Sequence, residues 1–214
     1  MKRRNIACLF DLDGVIFDTE NNYTEFWTNV GKRYFPEKKD FASVIKGHSI
    51  GDILSEYFSD FKQDWNRIEE DLYEMERKMF FPFIEGAEDF VRSLQKADVP
   101  VCLVTSSDKI KMETVLSSRP QIKELFEQMV IATDVIHAKP APDCYLLGAK
   151  KLGAAVEDCV VFEDSFAGIE AGRSAGMKVV GLATTNPYSA VKERVDAVIY
   201  DFKDFTLEDI LKLF

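Results

Sequence analysis

The stretch Ile6-Ala7-Cys8-Leu9-Phe10-Asp11-Leu12-Asp13-Gly14 decides the fold of this chain. Its apolar half is typical of a β-strand that is buried on both faces, and the run stops abruptly at two aspartates and a glycine. Strands of this kind occur in parallel sheets whose two faces are covered by helices. The stretch therefore predicts an α/β fold.

The same strand signal recurs along the chain, and helical periodicity lies between the runs. The later strand signals are at residues 99–104, 129–132, 159–162, 179–182 and 197–200. The helical patterns are at residues 87–96, 109–116, 143–152, 167–175, 189–194 and 207–214. Because strands alternating with helices pair in parallel through right-handed crossovers, we predict a doubly wound, Rossmann-like sheet.

Residues 18–82 do not follow this alternation. They contain no convincing strand, their aromatic residues are interleaved with charged ones, and amphipathic patterns run through residues 23–34 and 68–80. Pro82 and Gly86 mark the return to the sheet. We predict that residues 18–82 form an inserted helical cap, and that residues 1–17 and 83–214 form the Rossmann-like core. The predicted hinges are residues 17–19 and 81–85.

The overall charge and the cysteines limit the partners and the compartment. A net charge of −10 argues against nucleic acid, since phosphate backbones favour clustered Lys and Arg, and the basic run at residues 2–4 is interpreted as a solvated tail. No apolar stretch has transmembrane length, and residues 6–10 are too short for a signal peptide. The four cysteines are interpreted as reduced core residues, which predicts a cytoplasmic protein.

Polar side chains follow four of the predicted strands. They are Asp11 and Asp13 after the first strand, Thr105-Ser106-Ser107 after the second, Lys139 beyond the third, and Glu163-Asp164 after the fourth. Ligands of doubly wound sheets bind outside the carboxyl ends of the strands. The four clusters therefore predict one site at one edge of the sheet.

These residue types suit phosphoryl transfer. Carboxylates of Asp11 and Asp164 can hold Mg²⁺, and the cation and Lys139 would offset negative charge so that a carboxylate can attack phosphate. Asp11 is the predicted nucleophile, which gives an aspartyl phosphate. Asp13 points to the same side of the extended chain and is the predicted acid and base. The Thr105 hydroxyl and nearby backbone N–H groups would hold the phosphoryl group.

Each cluster taken alone also has a structural explanation. The acidic pair around Leu12 could be turn chemistry, although Gly14 stands too early for an EF-hand loop. Residues 105–107 and residues 163–164 could cap the helices that follow them, and Lys139 could be a surface lysine. The occurrence of all four in this order at strand ends favours catalysis.

Four motifs carry a family resemblance. The strings FDLDGVI at residues 10–16, AKPAPD at 138–143 and FEDSFAGIEA at 162–171, together with Thr105, resemble the haloacid dehalogenase-like hydrolase superfamily. The chain looks most like the branch of β-phosphoglucomutase and phosphoglycolate phosphatase, whose helical cap is inserted after the first strand. The resemblance covers the whole chain.

The resemblance implies a role at each matching position. These roles are nucleophile for Asp11, acid and base for Asp13, phosphate binding for Thr105 and Lys139, magnesium ligation for Asp164 and for the Asp13 carbonyl, and support of the metal by Glu163. The presence of Asp13 argues against dehalogenase chemistry, since the dehalogenase branch lacks that aspartate.

The substrate residues depart from the mutase pattern. β-Phosphoglucomutases carry an arginine in a G-V-S-R-like string, and the matching stretch here, at residues 47–50, ends in Ile50. They also carry a histidine where this chain has Tyr23. Because the arginine would anchor a second phosphate, its absence favours hydrolysis. The residues predicted to face the substrate are Ser106, Ser107, Tyr23, Trp27, His48 and Ser49, with the cap core as the alternative location for Tyr23 and Trp27.

We therefore predict a magnesium-dependent phosphatase for a small phosphorylated metabolite, such as a sugar phosphate, that acts through an aspartyl phosphate. The main alternative is a β-phosphoglucomutase-like phosphohexomutase. A receiver-like module is disfavoured by the helical insert, and a silent binding protein is disfavoured by the intact acidic residues. Neither nucleic acid nor membrane is an expected partner, and a monomer is expected because the cap already covers the site.

Overall fold

The first strand lies inside a six-stranded parallel sheet. The computed structural model describes residues 5–214, so the basic run at residues 2–4 lies outside the described part. The strands are β1 (Ala7–Phe10), β2 (Val101–Val104), β3 (Gln128–Val130), β4 (Cys159–Glu163), β5 (Lys178–Leu182) and β6 (Ala197–Ile199). They pair in the order β3-β2-β1-β4-β5-β6, and each pair is parallel. The predicted doubly wound α/β sheet is confirmed.

Helices connect the strands at the predicted places. The helices that follow residue 86 are α5 (Ala87–Lys96), α6 (Lys109–Ser118), α7 (Ile122–Leu125), α8 (Asp143–Leu152), α9 (Phe166–Ser174), α10 (Tyr188–Lys192) and α11 (Leu207–Leu211). The short α7 has no counterpart among the predictions. Across residues 5–214, no helix combines the length and the apolar character that crossing a bilayer requires.

Alternate residues of each strand enter apolar clusters on opposite faces of the sheet. In β1, Cys8 and Phe10 belong to one cluster, while Ala7 and Leu9 belong to the other. The Phe10 ring stacks on the ring of Phe162 in β4, with a centroid separation of 4.5 Å. Because both faces are covered, β1 is fully buried, and only its carboxyl end opens to the site described below.

A helical segment lies between β1 and α5. It contains α1 (Glu20–Tyr34), α2 (Phe41–Val44), α3 (Ile50–Tyr57), a 3₁₀ helix (Ser59–Asp64) and α4 (Trp65–Lys78). This segment has an apolar cluster of its own, in which Trp27, Phe35, Phe41 and Phe58 are buried. The two chain crossings run side by side, since the Asp18 N–H donates to the Pro82 carbonyl at 2.8 Å. The division at residues 18 and 82 stays a prediction.

Candidate active site

Asp11 lies at the carboxyl end of β1 and is 9% exposed. Its backbone N–H donates to the Phe162 carbonyl at 3.0 Å, which extends the pairing of β1 with β4 by one residue. Burial raises the pKa of Asp11 to about 7, and the ammonium of Lys139 opposes that rise. A cation bound beside Asp11 would hold it in the ionised, nucleophilic form.

Lys139 is buried behind Asp11. Its Nζ atom donates to Asp11 Oδ1 and to Glu163 Oε1, each at 2.6 Å. Burial alone would lower the pKa of Lys139, but the two carboxylates outweigh burial and raise it, so this lysine stays charged. The alternative of a surface lysine is wrong, because the side chain is 2% exposed.

Glu163 ends β4 and is fully buried. Its Oε1 accepts from Lys139 and from the Tyr145 hydroxyl, the latter at 2.9 Å. Its Oε2 accepts from the N–H of Asp164 at 2.9 Å and from both the N–H and the hydroxyl of Ser165 at 3.0 Å. The Glu163 carboxylate therefore fixes the backbone of the turn that contains Asp164 and Ser165.

The carboxylates of Asp11, Glu163 and Asp164 form a buried acidic cluster that fits a divalent cation. One oxygen from each lies within 4.8 Å of the others, whereas Lys139 pairs with only two of the three carboxylates. Burial and the neighbouring carboxylates of Glu20, Glu163 and Asp11 raise the pKa of Asp164 well above its usual range. Oxygen ligands with excess negative charge are the donor set that Mg²⁺ prefers.

Asp13 is held from both sides of its carboxylate. Its Oδ1 accepts from the Thr19 hydroxyl at 2.6 Å, and its Oδ2 is ion-paired with Lys111 of α6. The ammonium of Lys111 also lies over the Tyr23 ring, 4.4 Å from the centroid. The carboxylate of Asp13 is thus fixed near Asp11 by residues of the core and of the helical segment.

The three residues after β2 divide between the core and the helical segment. Thr105 Oγ1 accepts from the Ser107 N–H at 3.0 Å and donates to the Ser107 hydroxyl at 2.9 Å. The Ser107 hydroxyl in turn donates to Asp13 Oδ2 at 3.4 Å. Ser106 donates to the carbonyl of Gly47 in the helical segment at 2.8 Å, so it joins the two parts across the site.

Two of the helix-cap explanations are wrong. The N-cap of α6 is Asp108, and the N-cap of α9 is Ser165, whose side chains each accept a backbone N–H of the first turn. The hydroxyl cluster at residues 105–107 and the acidic pair at residues 163–164 are therefore not the caps. Their position at the carboxyl edge of the sheet fits a site instead.

A cavity lies between this edge and the helical segment. Asp11, Asp13, Asp164 and residues 105–107 line it from the core, while Tyr23, Trp27 and His48 line it from the helical segment. Trp27 also packs in the apolar cluster of that segment, where it is 6% exposed, so it lies both at the cavity and in the core of the segment.

Ser49 is not one of the residues that line the cavity. It is the N-cap of α3, where its hydroxyl accepts from the Asp52 N–H at 3.2 Å and donates to the Asp52 carboxylate at 2.5 Å. The structure thus shows Ser49 as a helix cap, and its contact with substrate stays a prediction.

Several polar residues of the site escaped the sequence interpretation. Thr184, Thr185 and Asn186 follow β5 and bind the Gly14 carbonyl, the Asp164 carboxylate and the Asp164 carbonyl respectively. The signal was present, because polar residues after β5 satisfy the rule that identified the other four clusters. Glu20, Lys46 and Lys111 also line the cavity, but they lie on helices or loops without a comparable signal.

Gly168→Ala is expected to destabilise the fold by about 1–3 kcal/mol. A Cβ at Gly168 would overlap the carboxylate of Glu163, which is held in place by its own hydrogen bonds. Alanine is otherwise favoured over glycine in a helix by about 1 kcal/mol. The expected loss of stability therefore comes from the overlap. Chemical denaturation monitored by circular dichroism measures the effect.

The matched control is Gly51→Ala in α3. The only atom near a Cβ at Gly51 is Ser49 Oγ at 3.9 Å, which is an ordinary contact. We expect this variant to be as stable as the wild type or more stable. If Gly168→Ala proved equally harmless, the crowding around Glu163 would be refuted.

Comparison with known proteins agrees with this geometry. The sequence model of the haloacid dehalogenase-like hydrolases matches residues 8–182. The "Probable pseudouridine-5'-phosphatase" of Drosophila melanogaster is 32% identical over 193 residues, which cover 83% of this chain and 81% of that protein. Hexitol phosphatase A of Escherichia coli (strain K12) is 31% identical over 206 residues, which cover 93% of this chain and 92% of that protein.

The fold is shared with the solved structure of another hydrolase. The crystal structure of a HAD hydrolase, family IA, variant 3 from Entamoeba histolytica matches with a TM-score of 0.83 at 25% identity, covering 97% of this chain and 98% of that one. The resemblance read from the four motifs is thereby confirmed. The chain belongs to the haloacid dehalogenase-like hydrolase family and is an enzyme of the phosphatase type.

Proposed function

We propose that this enzyme is a magnesium-dependent phosphatase that hydrolyses a small phosphate monoester, such as a sugar phosphate, through an aspartyl phosphate on Asp11. The observation that carries the proposal is the buried group at the carboxyl end of β1. There Asp11 is paired with Lys139 at 2.6 Å, beside Asp164 and two residues before Asp13. A carboxylate, an ammonium and an acidic cluster on neighbouring strands are the parts that phosphoryl transfer requires.

In the first step, a carboxylate oxygen of Asp11 attacks phosphorus and the bond from phosphorus to the ester oxygen breaks. The leaving oxygen takes a proton from Asp13, which is held near it by Thr19 and Lys111. In the second step, Asp13 removes a proton from water, and the resulting oxygen attacks phosphorus. Phosphate leaves and the carboxylate of Asp11 is restored.

Other residues hold the phosphoryl group and the cation. Lys139 offsets the charge of Asp11. Thr105 lines the cavity, and its hydroxyl would turn from Ser107 to donate to a phosphoryl oxygen. Asp11 and Asp164, with the Asp13 carbonyl and support from Glu163, would hold Mg²⁺. When bound, the cation supplies charge neutralisation between the attacking carboxylate and the phosphate.

The helical segment, residues 18–82, is proposed to act as a cap over the site. The contact between Ser106 Oγ and the Gly47 carbonyl joins it to the core beside the site. The side-by-side chain crossings at residues 18 and 82 permit it to move as one unit. Opening would admit substrate and then water.

The mutase alternative has less support. Ile50 lines the cavity at the position where the mutase pattern has arginine, and no arginine of the described residues lines it. A mutase must hold the second phosphate of a bisphosphate intermediate, which calls for an anchoring cation. A requirement for a bisphosphate activator on a sugar 1-phosphate would revive this alternative.

Removal of the metal tests the proposed chemistry. We expect wild-type protein to release phosphate from members of a panel of phosphorylated metabolites in Mg²⁺, and EDTA to abolish that release. Added Mg²⁺ should restore it, because the three carboxylates at the site otherwise repel the substrate. Phosphate release is measured colorimetrically, and heat-inactivated protein is the blank. Full activity in EDTA would contradict the metal site.

A further inference from the structure

Three buried side-chain atoms between residues 5 and 214 have no hydrogen-bond partner. They are Glu20 Oε2, His48 Nδ1 and Glu76 Oε2, and all three residues line the same cavity. Buried polar atoms in folded proteins nearly always have partners, so exceptions gathered in one cavity indicate a ligand that supplies them. Glu20 Oε2 lies 3.1 Å from Lys46 Nζ and is already charge-paired. Glu76 and His48 are therefore the two residues whose unpartnered atoms a ligand would satisfy.

Glu76 lies on α4 and is 2% exposed. The Tyr23 hydroxyl donates to its Oε1 at 2.9 Å, which fixes the carboxylate and leaves Oε2 for another donor. Burial raises the pKa of Glu76 to about 7, and the ammonium of Lys111 and the hydrogen bond from Tyr23 oppose that rise. A hydroxyl group from a ligand would supply the missing donor.

The cations of the cavity are already paired. Lys46 pairs with Glu20, and Lys111 pairs with Asp13, and these are the only lysines among the lining residues of the described chain. A second anionic group on the substrate would thus meet carboxylates without a cation to compensate it, which is costly in a partly buried site. This arrangement favours a substrate whose part beyond the phosphate is uncharged and carries hydroxyl groups.

We propose that Glu76 and His48 form a hydroxyl-binding subsite that selects polyol or sugar monophosphates without a second anionic group. Glu76 Oε2 accepts from one hydroxyl of the leaving group, and His48 Nδ1 exchanges a hydrogen bond with another. The inference rests on the proposed phosphatase function and names its substrate class. Both side chains determine specificity, and neither takes part in phosphoryl transfer.

The test compares kcat/KM for sorbitol 6-phosphate and for n-butyl phosphate, which lacks hydroxyl groups, in the presence of Mg²⁺. In Glu76→Leu we expect the ratio of the two values to fall about 10- to 100-fold, the loss typical of a hydrogen bond to a charged group. Glu76→Gln keeps one acceptor oxygen and should show a smaller fall, and His48→Ala should lower the same ratio. The n-butyl phosphate value is the internal reference, because that ester offers no hydroxyl group to either side chain.

The matched control is Glu70→Gln, which makes the same chemical change at an exposed position of the same helix and should leave both values unchanged. An unchanged ratio in Glu76→Leu and Glu76→Gln would overturn the subsite while leaving the phosphatase proposal intact. Phosphoglycolate hydrolysed as well as sorbitol 6-phosphate would overturn the exclusion of a second anion. No release from any ester by the wild type would refute the phosphatase proposal as well.

Discussion

Asp11→Asn is expected to lower phosphate release by about 10⁴-fold or more, because an amide oxygen is a poor nucleophile towards phosphorus. The substitution is nearly isosteric, so the substrate cavity should keep its shape. Phosphate release from the best substrate of the wild type is the first measurement. The second is trapping of the phosphoenzyme by acid quench, since an aspartyl phosphate is labile to hydroxylamine.

The control for this variant is Asp60→Asn, which makes the same change at an exposed residue of the helical segment. It should retain full activity and give the labile phosphoenzyme. Asp11→Asn should give no trapped phosphoenzyme, although it still binds substrate. Phosphate release by Asp11→Asn near the wild-type rate would contradict the assignment of Asp11 as the nucleophile. A hydroxylamine-labile phosphoenzyme in Asp11→Asn would contradict it as well.

Lys139→Met is expected to abolish activity and also to destabilise the protein strongly. Its ammonium is the cation that pairs with both Asp11 and Glu163, and its loss leaves two buried carboxylates uncompensated. Breaking a buried pair in this way costs about 3–5 kcal/mol. For a chain of this size that corresponds to a fall in Tm of about 6–20 °C. Thermal unfolding is measured in EDTA, so that a bound cation does not compensate.

Two further variants separate the charge effect from the loss of a long side chain. Lys150→Met, at an exposed position of α8, should leave Tm and activity unchanged. Adding Asp11→Asn to Lys139→Met removes one of the two uncompensated charges, so the double variant should recover part of the lost stability without recovering activity. A Tm for Lys139→Met equal to that of the wild type would contradict the buried ion pairs.

Both of these residues were identified before any contact was known, because their signal is local. A run of apolar residues that is followed by polar residues marks the carboxyl end of a buried strand, whichever strands it pairs with. The alternation of such runs with helical patterns predicted the parallel sheet, and the polar residues that follow the runs predicted the edge at which the site lies. The missed cluster at residues 184–186 obeys the same rule.

Contacts between distant parts of the chain had no such signal. Lys111 reaches Asp13 across 98 positions of sequence, and Tyr23 reaches Glu76 across 53. The first contact depends on how α6 packs beside the sheet, and the second depends on how α1 packs against α4. A helical pattern specifies which face is apolar but not what that face meets. Ser49 illustrates the same limit, since a serine before a helix serves equally as a cap or as a substrate ligand.

The sequence by itself thus determined the sheet, the order of its strands along the chain and the chemistry at their carboxyl ends, because strand burial and strand-end polarity are properties of neighbouring residues. Only the tertiary structure decided which side chains of the helical segment line the cavity, that the lysines of the cavity are already paired, and that Glu76 Oε2 and His48 Nδ1 lack hydrogen-bond partners. Those features depend on distances between residues far apart in sequence, which are set by packing of the whole chain.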